Sequence, residues 1–107
     1  VEIIDDNLRN VDPSVKITSN RFLVFVGQAV GAFKQRGYTV TSVTIPPLAT
    51  RQVEVKLKGK QYRIKMIIDR SPGQEVEDAT RVMRYLTRKG IEPAYIDVRL
   101  ESKAFYK

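Results

Sequence analysis

The chain contains neither cysteine nor histidine. Disulfides, thiolate metal sites and cysteine nucleophiles are therefore excluded, as are imidazole acid–base chemistry and every zinc site that needs His or Cys. Only carboxylate sites for Mg²⁺ or Ca²⁺ stay open, and no cofactor or metal is expected. Long apolar runs are missing too; none approaches the ~18 residues of a membrane span. Acidic residues are comparatively scarce, 12 against 19 Lys and Arg, which leaves a net charge of +7. Such a surplus suits nucleic acid, an acidic protein partner or an anionic membrane surface, or simply a solvated basic surface.

With 107 residues the chain reads as a single domain over 1–107, long enough to bury roughly two-thirds of the surface its unfolded form exposes. It begins at Val1, so an excised fragment of a larger membrane-anchored protein is expected, with any targeting segment or anchor upstream.

Val1-Glu-Ile-Ile reads as a short strand, and the stretch to Thr18, broken at Asp12-Pro13, as loop. Ser19 or Asn20 can cap a helix whose apolar stripe is Phe22, Leu23, Phe25, Val26, Ala29, Val30 and Phe33, ending at Gly37. Tyr38 to Ile45 is rich in Thr and Val, reads as a strand and is stopped by Pro46-Pro47. From Arg51 to Ile68 two alternating runs form a hairpin. A two-residue Gly59-Lys60 turn of type II′ pairs Leu57 with Tyr62, Val55 with Ile64 and Val53 with Met66 on one face, and sets Glu54 opposite Lys65 and Lys56 opposite Arg63. A second helix from about Gln74 to Lys89 buries Val76, Ala79, Val82, Met83 and Leu86, carries Glu75, Glu77 and Asp78 near its start, and stops at Gly90. Two strands end the chain: Tyr95 to Leu100, then Ala104-Phe105-Tyr106-Lys107 after a turn at Glu101-Ser102-Lys103. The order (β)αβββαββ predicts an α+β fold, an antiparallel-rich sheet with both helices packed on one face. No internal sequence repeat is visible.

The residues offer no catalytic set. Glu54-x-Lys56 matches half of a nuclease metal site, but the preceding strand supplies no second carboxylate. No Gly-rich phosphate loop or nucleophile elbow is present, and Asp97 and Arg99 read as a local or cross-strand charge pair. The chain is not expected to be an enzyme. Two basic features invite a binding role. Lys56, Lys58, Arg63 and Lys65 make the outer face of the hairpin a basic patch suited to phosphate or acidic partners, or a solvated strand face. No exposed aromatic pair accompanies them, which weighs against an RNA-binding sheet. Arg81, Arg84 and Arg88 share one side of the second helix, where a solvated face is the plainer reading. The chain's last strand is the other candidate, because an edge strand offers unpaired backbone groups to a partner.

Tyr95-Ile96-Asp97-Val98-Arg99 followed by Lys103-Ala104-Phe105-Tyr106-Lys107 resembles the end of the β domain of FtsQ/DivIB cell-division proteins, where an Ile-Asp-Leu-Arg-like strand leads through a turn to a closing strand. The upstream order is similar: a helix ending at Gly37, a Thr/Val strand, a Val-Glu-Val-Lys-Leu-Lys-Gly-Lys hairpin and a second helix. The likeness is strongest from Gln52 to Lys107. The chain departs from the family at Ile68-Asp69-Arg70, where a Leu-Gly is usual, and at Ser102-Lys103, where a Gly precedes the closing strand. The resemblance implies a non-enzymatic, extracytoplasmic scaffold of the divisome, tethered by a transmembrane helix outside this segment. Its partner would be a small coiled-coil protein of the FtsB/FtsL type, captured by strand addition. Carried over by position, the docking residues would be Arg99, Ala104, Phe105, Tyr106 and Lys107. No small-molecule substrate is implied, and a basic nucleic-acid-binding domain using the 51–70 hairpin is the alternative.

Overall fold

The computed structural model of the protein describes residues 2–5, 20–45, 51–100 and 103–107. The expected Ser19 cap, the Asp12-Pro13 break, the Pro46-Pro47 stop and the Glu101-Ser102 turn lie outside the described residues. The elements follow the expected order: β1 (Glu2–Asp5), α1 (Asn20–Gln35), β2 (Val40–Ile45), β3 (Gln52–Leu57), β4 (Arg63–Ile67), α2 (Pro72–Lys89), β5 (Tyr95–Leu100) and β6 (Lys103–Tyr106). The class is α+β.

The strands form one six-stranded sheet in chain order, β1 to β6. It is mixed: β2–β3, β3–β4 and β5–β6 pair antiparallel, whereas β1–β2 and β4–β5 pair parallel. Each parallel junction is bridged by a helix, so the chain consists of two βαββ units, β1-α1-β2-β3 and β4-α2-β5-β6. The fold thus repeats a topology where the sequence shows no repeat. β1 and β4 point the same way, and both crossovers step toward the same edge. Connections of the usual right hand then place both helices on one face, where α1 packs against α2.

The core lies between that helix layer and the sheet. Phe33 of α1, Met83 of α2, and Ile64, Met66, Ile96 and Val98 of the sheet are all essentially inaccessible. The alternation Val53, Val55, Leu57 against Glu54 and Lys56 sends the apolar set to the helices and the polar set to the open face. The hairpin register is as predicted, with Val53 opposite Met66, Glu54 opposite Lys65, Val55 opposite Ile64 and Lys56 opposite Arg63.

Three local details differ from expectation. The Lys60 amide donates to the Leu57 carbonyl at 3.2 Å, closing a turn with Gly59, φ +80, in its third position rather than as the first residue of a type II′ turn. Leu23, assigned to the buried stripe of α1, is 46% exposed, because it sits at the margin of a stripe centred on Phe22, Phe25, Val26, Ala29 and Phe33. α2 begins at Pro72, two residues before the expected Gln74. Ser71 caps it by accepting from the Gln74 amide, and Pro72 fits the first turn because its missing N–H would have had no helical partner there. At the other end Gly90, φ 68, takes the left-handed conformation, and the Ile91 amide donates to Leu86 O at 3.0 Å.

Candidate partner-binding edge

β6 is the last strand of the sheet, and among the described residues nothing pairs with its outer side. It lies antiparallel to β5, with Ile96 opposite Tyr106, Asp97 opposite Phe105 and Leu100 opposite Lys103, and an irregularity between Asp97 and Leu100. The Lys107 amide donates to Tyr95 O at 3.2 Å, and Lys107 O accepts from the Ala94 amide. Lys107 therefore turns its backbone groups toward β5. In an antiparallel ladder inward- and outward-facing residues alternate, so Phe105 also faces β5, while Ala104 and Tyr106 present N–H and C=O to the open edge.

The side chains follow the complementary logic. Tyr106 stands opposite Ile96, a core residue, and so points to the helix face. There it meets Tyr85 of α2, ring centroids 6.5 Å apart at 48°. Both rings stay open to solvent, 42% for Tyr106 and 40% for Tyr85. Ala104 is half-buried and packs on the core. Leu100, 58% exposed, is the last residue of β5. The edge thus combines free backbone groups with an exposed aromatic pair, two features that a strand-adding partner uses.

Arg99 is placed differently. It lies on the open face of the sheet, away from Ala104 and Tyr106, and its guanidinium grips Asp97 through two bonds of 2.9 and 2.6 Å, while its amide donates to the same carboxylate at 3.0 Å. Burial raises the Asp97 carboxyl, but the Arg99 hydrogen bonds and the charges of Arg99 and Lys65 outweigh it and hold it below its ordinary value. The same bond raises Arg99. Arg99 is therefore committed to a local pair, one of the two arrangements, local or cross-strand, that the i, i+2 spacing left open, and a partner's carboxylate would have to displace Asp97 to reach it. Lys107 is exposed.

The hairpin patch is also less basic than its sequence suggests. Arg63 is bound by Glu54 at 3.0 Å, and the Lys65 ammonium lies 4.0 Å from the centre of the Tyr95 ring. Lys56 is exposed on the same face, whereas Lys58 sits at the turn, its amide donating to Thr39 O. The open face is therefore a field of mixed charge, Glu54 and Asp97 among Lys56, Arg63, Lys65 and Arg99. Tyr62 is buried as predicted, and burial, with Tyr38 and Glu92 nearby, pushes its phenol up to about 12. It offers no stacking surface.

Two features escaped the sequence reading. Glu75, placed among the acids of the first turn of α2, is fully buried. Its Oε1 accepts from the Ile67 amide at 2.8 Å, and its Oε2 has no hydrogen-bond partner among the described residues. Arg70, between the hairpin and the second helix, reaches Val98 O, Leu100 O and the Asp78 carboxylate, joining the start of α2 to the end of β5. The spacing of Glu75, Ala79, Met83 and Leu86 along one helix face was the available signal for the first; no sequence signal marked the second.

Among the described residues no cluster of acidic side chains could hold a metal ion, and no helix is long and apolar enough to cross a membrane. No protein-family model matches the chain, and no curated protein matches it either.

Proposed function

We propose that this domain is a non-enzymatic scaffold that captures a protein partner by strand addition along β6. The observation that carries the reading is the position of β6 at the end of the sheet, with the backbone groups of Ala104 and Tyr106 directed outward. The exposed Tyr85–Tyr106 pair beside that edge supplies an apolar contact for side chains of the added strand. The resemblance to the FtsQ/DivIB β domain supports a place in the bacterial cell-division machinery, outside the cytoplasm, with an FtsB/FtsL-type partner. Under this reading affinity comes from the backbone ladder and from the tyrosines, and Arg99 serves to order β5 rather than to steer the partner.

The alternation of β6 decides the test. Proline at Phe105 removes a bond to β5 and detaches the strand, so it does not separate docking from folding. Proline at Ala104 removes an outward N–H, a position where edge strands accept it. Ala104→Pro is expected to keep the fold and weaken capture of an FtsB/FtsL-type segment about tenfold or more. Undiminished capture by folded Ala104→Pro protein would overturn the reading.

A further inference from the structure

The Arg81, Arg84 and Arg88 stripe of α2 does not lie on a bare helix face. With Tyr38, at the entry to β2, and Lys60, from the β3–β4 turn, it lines a cavity of about 710 Å³. A second hollow of about 220 Å³ is lined by Arg36, Tyr38, Thr80 and Arg84. Tyr38 and Arg84 belong to both, so the two hollows adjoin with Arg84 between them. Among the described residues that line these two hollows none is acidic. Asp78 pairs with Arg81 and is itself bound by Arg70; Glu92 lines a third hollow, which adjoins the first through Lys60 and Thr87. Among the described residues Lys60, Arg84 and Arg88 have no carboxylate partner, unlike Arg63 and Arg99 on the open sheet face.

Like charges converging on a concavity repel one another unless an anion joins them. Arginine forks suit phosphate oxygens, which accept two N–H bonds from one guanidinium. A single phosphate is small against two adjoining hollows of about 710 and 220 Å³. A chain of linked phosphates can run from Arg36 past Arg84 to Arg88 and Lys60, with Tyr38 between the two hollows.

We infer that this groove binds a ligand carrying two or more linked phosphates, held by Arg36, Arg84, Arg88 and Lys60 and bordered by Tyr38. The site is separate from the β6 edge, so its fate is independent of the strand-addition reading.

Isothermal titration calorimetry with tripolyphosphate at low ionic strength tests it. The parent protein should bind one equivalent. Arg84→Gln with Arg88→Gln should weaken binding about 100-fold, since each removes charge-assisted hydrogen bonds. Lys56→Gln, on the open sheet face, should change it less than about twofold. Both arginines are exposed, so thermal melts of the double variant should match the parent. A parallel titration with ATP identifies the source: tighter binding than tripolyphosphate marks a nucleotide whose base rests on Tyr38, and equal binding marks the phosphate chain alone. Absence of binding, equal losses in the groove and sheet-face variants, or hexaglutamate binding as tightly as tripolyphosphate would each overturn the inference.

Discussion

Glu75 is the residue with the most to say about stability. Its carboxyl is buried under the start of α2, and desolvation pushes it from 4.5 to about 7 even though the Ile67 amide and Arg70 favour its charged form. The folded state therefore holds this proton more tightly than the unfolded chain. The resulting stabilisation is complete below about pH 4.5 and is lost as the pH rises through about 7, a change on the order of 3 kcal/mol by linkage. Glu75→Gln should remove that slope: urea denaturation at pH 8 should show the variant more stable than its parent, while at pH 4.5 the two should lie close together. Parallel pH profiles for the two proteins would contradict this. Arg70 is the counterpart case. It is nearly buried beside Asp78 and satisfies two carbonyls of β5, so Arg70→Ala should cost about 3 kcal/mol by leaving Asp78 short of a partner. Chemical denaturation reads this directly, and a loss under about 0.5 kcal/mol would contradict it. Glu75 was legible in principle, since it lies four residues before Ala79 on the buried stripe, but an acid in a first helical turn has a ready explanation in the dipole. Arg70 was not legible, because its carbonyl partners are 28 and 30 residues away.

At the scale of elements, periodicity and turn chemistry carried different amounts of information. The hairpin register of β3 and β4 was readable because the two alternating runs bury their apolar faces together in only one alignment, and slipping by one residue would turn Val53, Val55 and Ile64 to solvent. The turn itself was not. Many loops satisfy the same register, and the one formed puts Gly59 in its third position. Gly59 has φ +80 and open space where a Cβ would lie, so Gly59→Ala should cost about 1–2 kcal/mol through backbone conformation alone. A thermal melt showing no loss would mean that the turn relaxes to another form. The helices show the same division: Gly37 and Gly90 marked both C-termini correctly, while the Ser71-Pro72 start of α2 was missed although Ser followed by Pro is a recognised opening.

At the scale of the whole molecule, the α+β class followed from element order, but the sheet's directions did not. Whether β1 meets β2, and β4 meets β5, in parallel depends on helices crossing over the sheet, a long-range choice that no local pattern states. The same choice makes β6 the end of the sheet and gives the candidate docking edge its geometry. It also separates the residues that a linear reading grouped together: Arg99 faces one side of the sheet, and Tyr106 faces the helices with Tyr85. Amide hydrogen exchange resolved by residue tests the central claim most directly. In the free domain the outward amides of Ala104 and Tyr106 should exchange quickly and the Lys107 amide, bonded to Tyr95, more slowly; an FtsB/FtsL-type segment should protect Ala104 and Tyr106 selectively. Protection that appears elsewhere on the domain while those two amides stay unchanged would contradict strand addition at β6.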